Sequence, residues 1–326
     1  MVPEELLQVI REQTDFLLLT HVHPDGDALG SMFGLAEILR GMGKNALCFT
    51  EEPVSHLFDF LPDCRNVSHD WHDVSSFAEE AAGNMAVVAM DCGDAARLGK
   101  YEKDLLNYRP FLVIDHHKSH QDFGSCNWVE PDCSSTGEMI FELAGALGAK
   151  IPYKAAFDLY TAILTDTGSF RYECTSPRTL QIASELLAAG VRPEEVASKV
   201  YDNYTKERLR LMEMVLATLE LYADEQLAVI YAAGEMFEQS GASYHDTEGL
   251  IDFPRSLKSV KAAVLIKEAE KNMVSVSLRA KGECDVAEIA GQFGGGGHRN
   301  AAGCRFTDKS LEQVKKEIIA AFLQVL

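Results

Sequence analysis

The chain has 326 residues, which is longer than one typical hydrophobic core supports, so we expect two domains. Apolar residues make up 47% of it and charged residues 25%, as in ordinary globular proteins, and no apolar run reaches the roughly 18 residues that a membrane span needs. The formal net charge of -20 argues against a general nucleic-acid binder, because such proteins carry a basic face. The first residues lack a secretory apolar segment, and the eight cysteines include no CxxC pair. We therefore expect a cytoplasmic protein with reduced thiols.

The first predicted strand, at residues 16–20, leads directly into a polar loop. This loop has the sequence His21-Val22-His23-Pro24-Asp25-Gly26-Asp27 and precedes a helix predicted at residues 28–42. Imidazole nitrogens and carboxylate oxygens bind divalent metals, Gly26 lets the backbone turn tightly, and Asp27 can cap the helix. The alternative is an ordinary polar turn with an aspartate cap. Within a metal loop, His23 is the alternative to His21.

Two further apolar runs, at residues 85–90 and 111–114, are typical of strands buried on both faces. They end at Asp91 and at Asp115-His116-His117. Ligands of open parallel sheets bind outside the carboxyl ends of the strands, so we expect these residues to converge with the first loop. A helix predicted at residues 151–165 stops at Asp166, which is either a fourth ligand or a simple turn residue. We interpret Ser135-Thr136-Gly137-Glu138 as a structural capping box.

The last third of the chain has a different pattern. Residues 177–222 are helical in pattern, and strands and helices then alternate to the end of the chain, which predicts a small α/β domain. We expect a metal-binding catalytic domain, a helical linker and a substrate-binding domain. Their predicted boundaries are residues 1–190, 191–222 and 223–326.

A carboxylate-rich site of this kind suits two-metal phosphoester hydrolysis. That chemistry needs two divalent ions, a bridging carboxylate and a water acidic enough to act as hydroxide at neutral pH. We expect manganese or magnesium, and the histidines favour manganese. A zinc site with cysteine ligands is disfavoured because no cysteines have matching spacing, and a serine hydrolase is poorly supported because no GxSxG is present.

A run of four glycines at residues 294–297 precedes His298 and Arg299. Glycines allow close approach of backbone amides to a phosphate, and the two side chains add donors. The alternative is a flexible turn. Arg279 is a candidate phosphate clamp because its guanidinium binds phosphate in a bidentate way. Arg97 is a weaker candidate and can equally be a cation that caps a helix.

Taken in order, these motifs resemble the DHH phosphoesterase superfamily, which includes RecJ-like exonucleases and family II pyrophosphatases. The glycine run is similar to the signature of the DHH-associated domain. The resemblance implies an α/β fold, with a parallel-sheet DHH domain joined by a helical linker to a smaller α/β DHH-associated domain. The four DHH motifs match His21-x-x-Pro24-Asp25-Gly26-Asp27, Asp91, Asp115-His116-His117 and Asp166.

The resemblance also implies residue roles. His21, Asp25 and Asp91 would hold one metal, and Asp91 would bridge to a second metal held by Asp27, His116 and Asp166. Among the catalytic residues, Asp91 bridges, Asp115 orients a neighbouring histidine and His117 contacts the scissile phosphate. The residues expected to bind substrate are Arg279, Gly295, Gly296, Gly297, His298 and Arg299.

The implied activity is hydrolysis of short oligoribonucleotides to mononucleotides, together with conversion of 3'-phosphoadenosine 5'-phosphate (pAp) to AMP. Short RNA and pAp are the expected partners, and neither long duplex nucleic acid nor a membrane is expected. The alternatives are a cyclic-dinucleotide or polyphosphate hydrolase on the same scaffold and a non-catalytic nucleotide sensor. The complete ligand set argues against the sensor. The sequence leaves the oligomeric state open, including a dimer.

Overall fold

The computed structural model describes residues 1–268 and 273–326 of the chain. It divides into two compact units, Met1–Asn203 and Tyr204–Leu326. The division falls inside the segment 191–222 that we predicted as a helical linker. Part of that segment belongs to each unit, and its last three residues form a strand.

The first unit is built on six parallel strands in the spatial order β3-β2-β1-β4-β5-β6. This is a doubly wound order, in which the chain reverses direction across the sheet between β1 and β4. The sequence-predicted parallel α/β fold is therefore confirmed. The strands are β1 (Asp15–Thr20), β2 (Asn45–Phe49), β3 (Val67–Ser68), β4 (Met85–Met90), β5 (Phe111–Asp115) and β6 (Cys126–Val129).

The central strands end side by side. Thr20 of β1 pairs with Met90 of β4, which pairs with Ile114 of β5. All six residues of β4 are buried, because helices cover both faces of the sheet. The residues that follow these three strands therefore begin at one level of one sheet edge.

Helices cover both faces of this sheet. One face packs against α1, α2, α5 and α6, and the other against α3 and α4. The helices of the unit are α1 (Glu4–Glu12), α2 (Gly26–Gly41), α3 (Trp71–Glu80), α4 (Glu102–Leu105), α5 (Thr136–Leu147), α6 (Tyr153–Asp166), α7 (Pro177–Ala188) and α8 (Pro193–Tyr201).

A glycine repeat on α2 brings this helix close to α6. A Cβ atom added at Gly26 would lie 2.5 Å from the Thr165 hydroxyl oxygen, and one at Gly30 would lie 2.5 Å from the Asp158 carbonyl oxygen. Gly34 meets α6 in the same way one turn further on. Gly26 is therefore needed for close helix packing, whereas we expected it to relax a turn.

Several elements of this unit were not predicted. Residues 51–84, which we interpreted as irregular surface structure, contain β3 and α3. Val74 is the one fully buried residue of α3 among its ten described residues, so its apolar periodicity is weak. Trp71 of α3 stacks on Tyr101 with ring centroids 4.4 Å apart. Both rings pack against the apolar cluster between α3 and the sheet. The edge strand β6 was also missed.

The second unit contains a mixed sheet in the order β11-β12-β10-β9-β8-β7, in which only β8 and β9 pair in parallel among the described pairs. One face packs against α12 and α13, and the other against α9 and α11. The strands are β7 (Glu220–Tyr222), β8 (Leu227–Ala232), β9 (Ala262–Glu268), β10 (Met273–Ala280), β11 (Gly296–His298) and β12 (Ala301–Thr307). The helices are α9 (Lys206–Leu216), α10 (Gly234–Ser240), α11 (Asp252–Arg255), α12 (Val286–Gly291) and α13 (Leu311–Phe322).

Two expectations from composition concern the chain as a whole. Within residues 1–268 and 273–326, no helix combines the length and apolar character required to cross a bilayer. All eight cysteines lie in these residues and none is in a disulfide there.

Candidate metal centre

The carboxyl ends of β1, β4 and β5 bring acidic and histidine side chains together. His21, Asp25 and Asp91 form one group and Asp27, Asp91 and His116 form another, with the candidate ligand atoms of each group within 4.8 Å of one another. Asp91 belongs to both groups. Asp166, at the end of α6, joins them through its Oδ2 atom, which lies 3.4 Å from His116 Nε2. The structure thus brings all six predicted metal ligands into one site.

The rings of His21 and His116 are each held by a hydrogen bond between Nδ1 and a backbone carbonyl oxygen. The Nδ1 atom of His21 lies 2.9 Å from the Val22 carbonyl oxygen, and that of His116 lies 3.2 Å from the Cys133 carbonyl oxygen. A carbonyl oxygen only accepts hydrogen bonds, so Nδ1 carries the proton in both rings. Each Nε2 atom therefore faces the carboxylates, at 3.4 Å from Asp91 Oδ2 for His21 and 3.5 Å from Asp91 Oδ1 for His116. This is the orientation that metal-binding histidines adopt.

Burial and mutual repulsion shift the pKa values of these groups. Burial, with the charge of Arg97, lowers the pKa of His21 to about 3, so its ring is neutral at neutral pH. Burial and the neighbouring Asp166 and Asp25 raise the pKa of Asp27 to about 7. Burial and nearby carboxylates also raise the pKa of Asp91 well above its usual range. Buried carboxylates this close together repel one another, and a cation bound between them would offset that repulsion.

The N-terminus of α5 holds Asp27. The backbone N–H of Thr136 donates to Asp27 Oδ2 at 2.8 Å, and that of Gly137 donates to Oδ1 at 2.9 Å. Ser31, one turn along α2, also donates to Oδ1 at 3.1 Å. The Thr136 hydroxyl donates to Asp91 Oδ1 at 3.3 Å, so α5 contacts both acids. We had assigned this segment a purely structural role, and backbone donors leave no signal in a sequence.

The proposed capping box at this helix start is wrong in detail. Ser135 accepts from the backbone N–H of Glu138 at 3.1 Å, as an N-cap residue does. The Glu138 carboxylate accepts instead from the hydroxyls of Ser134 at 2.6 Å and Thr179 at 2.8 Å. The N-cap hydrogen bond of a capping box is therefore present and the reciprocal bond from the Glu138 side chain is absent among the described residues. Glu138 instead connects α5 to α7.

Asp25, and not Asp27, caps helix α2. Its Oδ1 atom accepts from the backbone N–H groups of Asp27 and Ala28, both at 3.1 Å. Asp27 lies inside the first turn, so its carboxylate points to α5. The two aspartates of the loop therefore belong to different groups, which share only Asp91 among the described ligands.

Asp91 has an unusual backbone. Its φ of 54° lies in the left-handed region, which aspartate and asparagine tolerate better than most residues. Such strain is maintained where the surroundings fix a side chain, and it is common at functional sites. Here it turns the chain at the end of β4, where Asp91 contacts both metal-ligand groups.

Behind the two groups, Asp115 holds two histidines. Its Oδ1 atom lies 2.7 Å from His117 Nδ1, and its Oδ2 atom lies 2.7 Å from His120 Nδ1. Burial would raise the pKa of Asp115, but the hydrogen bonds from His117 and His120 outweigh it and hold this pKa well below its usual range. Asp115 is thus an ionised carboxylate that orients His117, and the sequence analysis did not identify His120.

His23 and Arg97 are the two remaining candidate site residues of the first unit. His23 Nδ1 is 3.4 Å from Glu52 Oε2, and among the described residues His23 belongs to neither metal-ligand group. Arg97 is half-buried, and its carbonyl oxygen accepts from the backbone N–H of Val22 at 2.8 Å. Arg97 thereby fixes the start of the loop and lowers the pKa of His21.

In the second unit the glycine run is part of the sheet. Its residues Gly296, Gly297 and His298 form β11 and pair with β12, and a Cβ atom at Gly297 would lie 2.5 Å from the Ala301 carbonyl oxygen. Glycine at this position therefore permits close pairing of β11 with β12. Part of the run is a paired strand here, whereas the alternative expectation was a flexible turn. Arg279 and His298 both pair with Ala301, from opposite sides, so one face of the sheet presents them in one row. Arg299 follows in the tight connection to β12.

The donor set of the first unit fits divalent metal ions. Carboxylate oxygens with two imidazole nitrogens suit Mn²⁺ or Mg²⁺, and Asp91 belongs to both groups, as a bridging ligand would. Hydrogen bonds to backbone groups orient the candidate ligands His21, His116 and Asp27.

This site and its fold define a metal-binding domain of the doubly wound α/β type, followed by a second α/β domain. Residues 15–164 match the DHH family, N-terminal domain, and residues 224–326 match the DHHA1 domain. The chain belongs to the DHH family.

Several proteins are similar to this chain over most of its length. A Thermus thermophilus protein named bifunctional oligoribonuclease and PAP phosphatase NrnA is 30% identical, over 95% of this chain and 89% of the relative. The Bacillus subtilis protein of the same name is 26% identical, over 92% of this chain and 91% of the relative. The crystal structure of an exopolyphosphatase-related protein from Bacteroides fragilis matches with a TM-score of 0.88 and 28% identity, over 98% of this chain and 95% of that one.

Proposed function

We propose that this protein is a metal-dependent phosphoesterase that hydrolyses short oligoribonucleotides to mononucleotides and pAp to AMP. The observation that carries the proposal is the pair of ligand groups that share Asp91. Relatives that are similar over most of the chain are named for these two activities. The net charge of -20 agrees with short substrates, since long nucleic acids are usually bound by a basic face.

We assign each metal ligand to one of two positions. His21 and Asp25 serve the first position, and Asp27, His116 and Asp166 serve the second, with Asp91 shared. Two divalent ions held there, which we infer to be manganese, would supply Lewis-acid polarisation of a phosphoryl group and a nucleophile at neutral pH. Backbone donors at α5 fix Asp27, and the carbonyl oxygens behind His21 and His116 fix their tautomers.

His117 is the proposed catalytic residue that contacts the reacting phosphate. Its Nδ1–H is committed to Asp115, so Nε2 is the nitrogen that faces substrate in this proposal. Asp115 keeps the ring in one orientation and stabilises a positive charge on it. An oriented donor next to a phosphate stabilises the charge that develops in the transition state.

Residues of the second domain are the proposed contacts to a phosphate of the substrate. Arg279 and His298 share one row of its sheet, and Arg299 lies in the adjoining connection. The amides of Gly295, Gly296 and Gly297 are the proposed backbone donors. The domain boundaries at 190 and 222 and the cytoplasmic location stay predictions.

A substrate panel tests the proposal. Purified protein with Mn²⁺ is incubated with pAp, pApA, a longer RNA, short single-stranded DNA, polyphosphate and cyclic di-AMP, and the products are resolved by chromatography. We expect AMP from pAp and pApA, and no product when EDTA is added or when Asp91→Asn replaces the wild type. Turnover of cyclic di-AMP or polyphosphate without turnover of pAp and pApA would refute the substrate assignment. Nucleotide binding without any product would indicate a sensor.

A further inference from the structure

We propose that His120 is a positioning residue, which fixes the orientation of His117 through the carboxylate of Asp115. This inference rests on the proposed function for the role of His117. His120 lies outside both metal-ligand groups, five residues after the end of β5. The hydrogen bonds and ring packing around Asp115 support it.

The carboxylate of Asp115 has one oxygen for each histidine. Oδ1 accepts from His117 Nδ1 and Oδ2 accepts from His120 Nδ1, both at 2.7 Å. Asp115 is fully buried and the side chain of His120 is 5% exposed, so water has little access to replace the second donor. Without His120, Oδ2 would be a buried acceptor that lacks its donor, and the carboxylate would be held on one side only.

Aromatic packing holds His120 itself in place. Its ring stacks on Phe123 with centroids 5.8 Å apart and an interplanar angle of 28°. Phe123 in turn packs edge-on against Phe111 at the start of β5, with centroids 5.9 Å apart. The ring orientation of His120 is therefore set by the core of the sheet, and its hydrogen bond passes this orientation to Asp115.

The other ring nitrogen of His120 does not explain its position. Nε2 is buried and has no hydrogen-bond partner among the described residues, and the nearest described carboxylate oxygen, Asp122 Oδ1, is 3.6 Å away. A histidine kept for solubility or for surface pairing would expose this nitrogen. Only Nδ1 makes a short hydrogen bond in the described structure, and that bond ends on the acid that orients His117.

Two substitutions separate the hydrogen bond from the ring. His120→Asn keeps an N–H donor at the same distance from the backbone, because asparagine Nδ2 and histidine Nδ1 are both bonded to Cγ. His120→Leu has a similar branch at Cγ but no donor. We expect kcat for pAp to fall about 10- to 100-fold in His120→Leu, with little change in KM, and to stay within about threefold of wild type in His120→Asn. In a His117→Gln background, His120→Leu should cause no further loss.

A readout without metal or substrate tests the same inference. The protein is labelled with ¹⁵N-histidine, and its ring N–H signals are recorded by NMR in the presence of EDTA. We expect the Nδ1–H signal of His117 to be sharp in wild type and in His120→Asn, and to shift and broaden in His120→Leu, in protein shown by circular dichroism to be folded. If His120→Leu leaves both this signal and kcat unchanged, the inference is wrong. If wild type hydrolyses none of the phosphoesters, the proposed function fails, and the NMR comparison still decides the role of His120.

Discussion

The packing of α2 on α6 should control the metal centre, and Gly30→Ala tests this directly. The added methyl group would lie 2.5 Å from the Asp158 carbonyl oxygen and 3.0 Å from the Ala162 Cβ atom. Ordinary contact needs about 3.5 Å, so the two helices must separate locally by about 1 Å. Asp27 lies at the start of α2 and Asp166 at the end of α6, so this separation moves two proposed ligands of the same metal position.

Overpacking of this kind costs about 1 to 3 kcal/mol, and alanine recovers about 1 kcal/mol through its higher helix propensity. We therefore expect the free energy of unfolding to fall by at most about 2 kcal/mol. Displacement of reacting groups by about 1 Å lowers rates about 100-fold, so kcat/KM should fall far more than stability does. Urea unfolding followed by circular dichroism and initial rates with pAp and Mn²⁺ measure the two effects.

Gly41→Ala is the matched control in the same helix. A Cβ atom at Gly41 would meet nothing within 4 Å in the described structure, so we expect unchanged activity and a gain in stability of up to about 1 kcal/mol. Equal activities of Gly30→Ala and Gly41→Ala would refute the link between helix packing and the metal centre.

Three further predictions follow from individual side chains. Asp91→Asn should keep the fold, because asparagine tolerates the φ of 54°, but should lower kcat by several orders of magnitude; a turnover near that of wild type would remove the bridging role. Burial raises the folded-state pKa of Asp27 to about 7. The contribution of Asp27 protonation to the free energy of unfolding is therefore complete below about pH 4 and is lost as the pH rises through 7. Metal-free protein should accordingly have a lower melting temperature at pH 8 than at pH 5. Mn²⁺ at pH 8 should reverse the change, and Asp27→Asn should reduce it; an equal pH response in that variant would contradict the assignment. Asp158 is buried, and neither of its carboxylate oxygens is hydrogen-bonded in the described structure. Burial raises its pKa well above the usual range, so Asp158→Asn should stabilise the protein at pH 8 and not at pH 3. Urea titrations at both pH values measure this difference.

Much of the metal centre could be predicted because parallel strands place their ends at one sheet edge. The strands before His21, Asp91 and Asp115 are continuous apolar runs, which are typical of strands buried on both faces, and each run stops abruptly at a polar residue. The register that aligns Thr20, Met90 and Ile114 then brings those polar residues together. Sequence order and apolar patterning were sufficient for this part.

The contacts that orient the ligands could not be predicted. Two donors to Asp27 are backbone N–H groups, which every residue except proline has, and their positions depend on where α5 begins in space. His120 follows the third motif closely, but its contact with the second oxygen of Asp115 requires the turn after β5. The glycine run resembles a loop in composition, and only its pairing with β12 reveals a strand.

The most direct test of the shared role of Asp91 is the number and coupling of bound manganese ions. Metal-free protein is titrated with Mn²⁺ and followed by electron paramagnetic resonance, with Asp91→Asn as the comparison. Because both ligand groups contain Asp91, wild type should bind two Mn²⁺ ions per chain with the spectrum of an exchange-coupled pair, and Asp91→Asn should lose the coupling. A wild-type spectrum of a single isolated Mn²⁺ ion at saturation would contradict the two-metal centre.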